Sequence, residues 1–207
     1  MSEKGFNNLF TKPYIKAEEV SQQLFREGKD GSRSSKRTDI LNEETINIIK
    51  GMIGVKDLHN YEFKTEQSIV CSRGDKFKVD VAVFYKGSLR AVLLLKAVVK
   101  SYNKNRHNYT NTIEGEMARL FDVTDRKGVH AITIDWIPRE VPTGDKFETT
   151  KIPNSINAEN RWNMFLKERQ CSASFCKIVF DYDIKSNIAK NVNGSEKLTS
   201  AIKSFLL

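Results

Sequence analysis

K-V-D-V-A-V-F-Y-K-G-S-L-R-A-V-L-L-L-K-A-V-V-K, running from Lys78 to Lys100, reads as two apolar strands joined by a tight turn at Lys86 and Gly87. From Phe77 to Tyr85 the residues alternate. Phe77, Val79, Val81, Val83 and Tyr85 share one face, and Lys78, Asp80, Ala82 and Phe84 share the other. The return from Leu89 to Val99 is more continuously apolar, as a central strand is; Ala91, Leu93 and Leu95 fall on one face, and Val92, Leu94 and Lys96 on the other. Each strand thus carries a charge, Asp80 or Lys96, where loss of hydration is costly unless an opposite charge or a phosphate compensates. Antiparallel pairing can bring the two together, but the register that would do so cannot be read from sequence.

Downstream lies K-S-Y-N-K-N-R-H-N-Y-T-N, Lys100 to Asn111. From Lys96 to Arg106 there are four basic residues and no acid. Tyrosines and asparagines interleave with them, and Asn and Arg are the side chains suited to base edges and phosphates. Lys100, Ser101, Tyr102, Asn103, Lys104, Asn105, Arg106 and Asn108 are therefore candidate DNA contacts. Thr112 caps a predicted helix to Phe121, with Ile113, Met117, Leu120 and Phe121 as its apolar stripe and Glu114 and Glu116 on opposite flanks. Gly128 closes that unit, and His130 to Ile137 is a further strand stopped by Pro138. Strand, strand, helix, strand predicts an α/β fold, a single domain with a mixed central β-sheet of about five strands flanked by helices. Residues 1–58 form its helical N-terminal part, 61–137 its core, and 138–207 the part that completes the sheet.

Upstream, helical periodicity covers Ala17 to Arg26 and Ile40 to Ile53. Asn42 is the expected N-cap of the second helix, which would put Glu43 and Glu44 in its first turn near the positive end of the dipole. Between the helices, Lys29 to Arg37 holds four basic residues and one acid among Gly and Ser. It reads as an exposed loop, with Arg33, Lys36 and Arg37 able to meet phosphates. Strands begin near Tyr61, with a short apolar segment at Ser68 to Cys71. Beyond Pro138, P-R-E-V-P-T-G-D reads as a loop, Ala158 to Glu168 as a helix and Lys177 to Tyr182 as the last strand. The following K-S-N-I-A-K-N-V-N-G is a polar stretch, and Ser195 to Leu206 is an amphipathic helix. Arg139 and Arg161 are weaker DNA-contact candidates.

The 207 residues suffice for one substantial core. Lys and Arg number 34 against 26 Asp and Glu, a net charge of +8, which favours a polyanionic partner. Three cysteines and three histidines, all scattered, support neither a disulfide framework nor a zinc site. No window is long and apolar enough for a membrane span and no signal core is present, so the expected location is cytoplasmic, away from membranes. P-loop, dinucleotide-binding, H-E-x-x-H and nucleophile-elbow patterns are missing.

The aspartate of K-V-D-V-A-V-F and the lysine of L-L-L-K-A-V, in that order and spacing, resemble the PD-(D/E)xK nuclease superfamily, which includes most type II restriction endonucleases. The resemblance spans about Tyr61 to Pro138. It implies a Mg²⁺-dependent hydrolase of double-stranded DNA, with Asp80 binding metal and Lys96 orienting the attacking water. It also implies a homodimer or a subunit of a heteromer. One position departs from the pattern: Leu94 stands where the family has Asp or Glu, and leucine cannot hold a metal. Some members supply that acid from the following helix, which points to Glu116, with Glu114 as the alternative. Glu43 or Glu44 could complete a second metal position. A scaffold that binds DNA without cutting it, or a repair or recombination nuclease of the same fold, is the competing expectation.

Overall fold

The structure is a computed structural model that describes residues 3–29, 34–70, 74, 76–100, 103–104, 115–116, 118–119, 128–143, 146–151, 160, 163–164, 166–168 and 170–206, with side chains from residue 9 onward. Six strands form its main sheet, in the order β1 (Tyr61–Val70), β2 (Lys76–Tyr85), β3 (Ser88–Ala97), β4 (His130–Pro138), β7 (Ser172–Asp183) and β8 (Ile188–Asn193). β1, β2 and β3 are antiparallel neighbours, β3–β4 and β4–β7 are parallel, and β8 returns antiparallel to β7. The expected mixed sheet with flanking helices is therefore the observed architecture. The continuous apolar runs of β3 and β4 follow from their place at its centre, where residues of both faces are buried.

One face carries Val81, Val83, Leu93, Leu95, Ile132, Ile134, Trp136, Ile178 and Phe180. Three helices cover it: α1 (Glu3–Arg26) through Phe10, Tyr14 and Ala17, α2 (Ser35–Met52) through Leu41, Ile46, Ile48 and Ile49, and α3 (Ser195–Lys203) through Leu198, Ala201 and Ile202. Trp136, fully buried, donates its indole N–H to the Phe10 carbonyl at 2.7 Å, which ties α1 to the middle of the sheet. The opposite face carries Ala82, Val92, Leu94, Ala131, Ala173 and Phe175, packed with Leu166.

Several expectations are corrected. α2 begins at Ser35, with Ser34 at its N-cap, so Asn42 lies inside the helix, fully buried, and Glu43 and Glu44 are beyond the first turn. The polar face of Ser35 to Asp39 hid this turn from an apolar-periodicity search. The P-R-E-V-P-T-G-D segment is not a plain loop: β5 (Glu140–Thr143) and β6 (Lys146–Thr149) make a separate two-stranded ribbon. The polar stretch after Tyr182 contains β8, an edge strand whose exposed residues need no apolar alternation. Finally, Phe77 and Val79 pack in the second apolar cluster while Val81 and Val83 pack in the first. The change of cluster falls at Asp80, where strand pairing is interrupted.

Candidate active site

Asp80 sits where both ladders of β2 open. On the β1 side the register runs Thr65 to Val81 and Gln67 to Val79, leaving the intervening Glu66 and Asp80 out of the pairing. Glu66 has φ 53, in the left-handed region that a side chain disfavours, and its carboxylate is ion-paired with Lys78. On the β3 side the pairing with β2 reaches Val81 and Leu93, and just beyond it the Leu95 N–H donates to Asp80 Oδ2 at 2.6 Å. The carboxylate thus takes a backbone amide at the end of the ladder, which fixes its position.

Lys96 comes from the same end of β3. Its ammonium lies 3.7 Å from Oε1 of Glu116, which stands in a helical stretch at residues 115–116 and 118–119 on the β3-to-β4 crossover. Both side chains are about three-quarters shielded, at 27% and 23% exposure. Burial raises the Asp80 carboxyl above its ordinary range, opposed by the Leu95 N–H and by Lys96. Burial likewise raises Glu116, opposed by Lys96, while the Asp80 charge pushes it further up. Oε2 of Glu116 is buried with no hydrogen-bond partner among the described residues. Lys78 also pulls on Asp80 and Arg119 on Glu116, yet burial keeps both carboxyls raised, and a further cation between them would favour their charged forms.

This donor set fits Mg²⁺, a hard cation that is held by one or two carboxylates and otherwise keeps water and phosphate oxygens. Asp80 and Glu116 are the residues that would hold it. Among the described residues no group of three or more His, Cys, Asp or Glu gathers into a metal cage.

Other predicted residues are placed elsewhere. α2 lies on the opposite face, where Glu44 pairs with Lys12 at 2.9 Å, so Glu43 and Glu44 do not extend the site. Arg37 is half-buried and donates from Nη2 to the Ala97 carbonyl at 2.9 Å, so it braces the end of β3 instead of reaching out as part of a loop. Asn103 is sewn to the ribbon: Nδ2 donates to Thr149 O at 2.9 Å and Oδ1 accepts from Lys151 N at 2.8 Å. Lys100 stands over the Phe25 ring at 5.6 Å from its centroid. Lys36 and Lys104 are exposed. Arg33, Ser101, Tyr102, Asn105, Arg106, Asn108, Glu114 and Arg161 lie outside the described residues, and Arg139 pairs with Asp181 at 3.0 Å.

No family model and no curated protein matches the chain. Among solved structures, Pyrococcus furiosus SfsA in complex with Ca²⁺ is similar to it at a TM-score of 0.32 and 14% identity. The likeness covers 74% of this chain and 63% of SfsA, under two thirds of that protein's length. It is too loose to bear on chemistry.

Two acids near the site escaped sequence reading. Glu66 acts on the Asp80 charge from β1. Asp135 is the β4 register partner of Lys96, inside the apolar run I-T-I-D-W-I-P. A charge within so apolar a strand is the signal that marks Asp135; nothing in sequence marks the backbone conformation of Glu66. Among the described residues, no helix is long and apolar enough to cross a membrane.

Proposed function

We propose that this chain is a Mg²⁺-dependent endonuclease of type II restriction kind that hydrolyses double-stranded DNA at a specific sequence. The observation that carries the reading is the return of a carboxylate, Glu116, to within 3.7 Å of Lys96, on a strand whose own acidic position is occupied by Leu94. Bound there, Mg²⁺ would supply charge stabilisation to the scissile phosphate and a more acidic water. Asp80 and Glu116 would hold and orient the cation. Lys96 donates a hydrogen bond to the attacking water and offsets charge growing on the phosphorane. Water oxygen forms a bond to phosphorus as the opposite P–O bond breaks in line; the attacking water releases a proton to solvent and the leaving oxygen takes one from solvent, leaving a phosphate on one fragment and a hydroxyl on the other. The net charge of +8 suits a polyanionic substrate. Cutting both strands requires two such sites, which a homodimer or a heteromer provides.

A second reading, a DNA-binding protein on the same scaffold that does not cut, is favoured by Leu94, which stands where the resembled family carries a metal-binding acid. Incubation of the protein with unmethylated phage DNA, in Mg²⁺ and in EDTA, separates the two. Discrete fragments in Mg²⁺ alone support restriction, and a metal-dependent smear indicates a repair or recombination nuclease. DNA that is retarded but intact rules out catalysis.

A further inference from the structure

The second face of the sheet is built in rows. Val92, Ala131 and Ala173 are in register across β3, β4 and β7, and so are Leu94, Thr133 and Phe175. The next row on that face is Lys96, Asp135 and Lys177. Beyond it the face is apolar again, with Val98 and Ile137 buried alongside Val141 and packed by Val179. One charged row is thus set between apolar ones, and its middle member is a carboxylate with a lysine on each neighbouring strand.

We propose that Asp135 is a positioning residue of the site, holding the Lys96 ammonium on the face that carries Asp80 and Glu116. The inference rests on the nuclease reading for the purpose of that positioning. In-register parallel neighbours on one face lie a strand spacing apart, about 4.8 Å, which long side chains bridge readily. Lys177 and Lys96 both act on the Asp135 charge, and burial lifts its carboxyl to about 6 against their pull. Oδ1 of Asp135 is buried without a hydrogen-bond partner among the described residues. Lys197, at the start of α3, acts against the Lys177 charge, while Asp135 favours it. With Leu94 in place of an acid two residues earlier on the same strand face, Lys96 has no carboxylate neighbour along its own strand. Asp135 supplies one from the side, and Glu116 supplies one from above.

Two measurements test this. The first is acetylation of Lys96 by a water-soluble N-hydroxysuccinimide ester, followed by peptide mass spectrometry, in wild type, Asp135→Asn, Asp135→Glu and the distant control Asp181→Asn. Lys96 labelling rises at least about fivefold in Asp135→Asn and returns toward wild type in Asp135→Glu. Equal rates in wild type and Asp135→Asn overturn the proposal. Should Asp135→Asn lose its thermal transition, Lys177→Met decides instead. With one competitor removed, Asp135 holds Lys96 more tightly and labelling falls; unchanged labelling overturns the proposal. The second measurement is the steady-state split on duplex DNA with Mg²⁺: Asp135→Asn lowers kcat about tenfold or more with KM unchanged, and a raised KM at unchanged kcat overturns it. A wild-type protein that does not cut DNA ends the nuclease reading, while the labelling result still decides the placement of Lys96.

Discussion

The Lys96 ammonium stands 3.7 Å from Oε1 of Glu116, a residue of the β3-to-β4 crossover. The carboxylate nearest Lys96 is thereby carried by a helical segment, whereas Leu94 of β3, only 2% exposed, is part of the second apolar cluster.

Asp80→Asn and Glu116→Gln should each reduce Mg²⁺-dependent cleavage by about 100-fold or more, with DNA affinity in EDTA largely retained. Initial rates on a plasmid substrate, and gel shifts without metal, measure the two effects. Adding Leu94→Asp to Glu116→Gln should not restore cutting, because the new carboxylate would be buried among Val92, Ala131 and Phe175.

Glu18 is another buried acid, on α1, with Oε2 lacking a partner among the described residues. Burial lifts its carboxyl from about 4.5 to about 7, opposed by Arg37 and Gln22. The folded state therefore holds this proton where the unfolded chain has released it. The group's contribution to stability declines as pH climbs from about 4.5 to about 7, and the penalty is complete above that range. His130, held neutral down to about 4 by burial, titrates in the opposite sense, so the informative quantity is a difference between variants. Glu18→Gln should raise stability at pH 8 by about 1 kcal/mol, roughly 2–4 °C in Tm, and change little at pH 5. Paired thermal melts at the two pH values check this.

Arg37→Ala should cost about 1.5–3 kcal/mol in urea unfolding, since it removes a charged donor from the Ala97 carbonyl at the end of the strand that carries Lys96. The salt dependence of DNA binding should stay at its wild-type slope, whereas loss of a phosphate contact would make it shallower.

Gly194 precedes α3 with φ 97, and a Cβ there would sit 1.9 Å from the Lys177 carbonyl oxygen. Backbone, not a movable side chain, blocks the space. Gly194→Ala should destabilise the fold by about 3 kcal/mol and disturb β7 beside the charged row, both visible in denaturant melts and in amide exchange at Lys177.

The amino-acid sequence by itself determined the central hairpin and the α/β class, and it marked Asp80 and Lys96 as charges in need of partners, because strand alternation and a charge inside an apolar run are local patterns. Helical periodicity puts Glu114 and Glu116 alike on the flanks of one stripe, and only the family resemblance favoured Glu116. Tertiary structure alone decided the rest. β8 and the β5–β6 ribbon form from polar or turn-like segments held by backbone pairing with the adjoining strand, so their side chains need show no apolar period of their own. The polar turn of α2 before Asn42 is drawn into the helix, and Arg37 goes with it to Ala97. Asp135 joins Lys96 only through the parallel register of β3 and β4, and a register shifted by one residue would have turned that carboxylate to the other face.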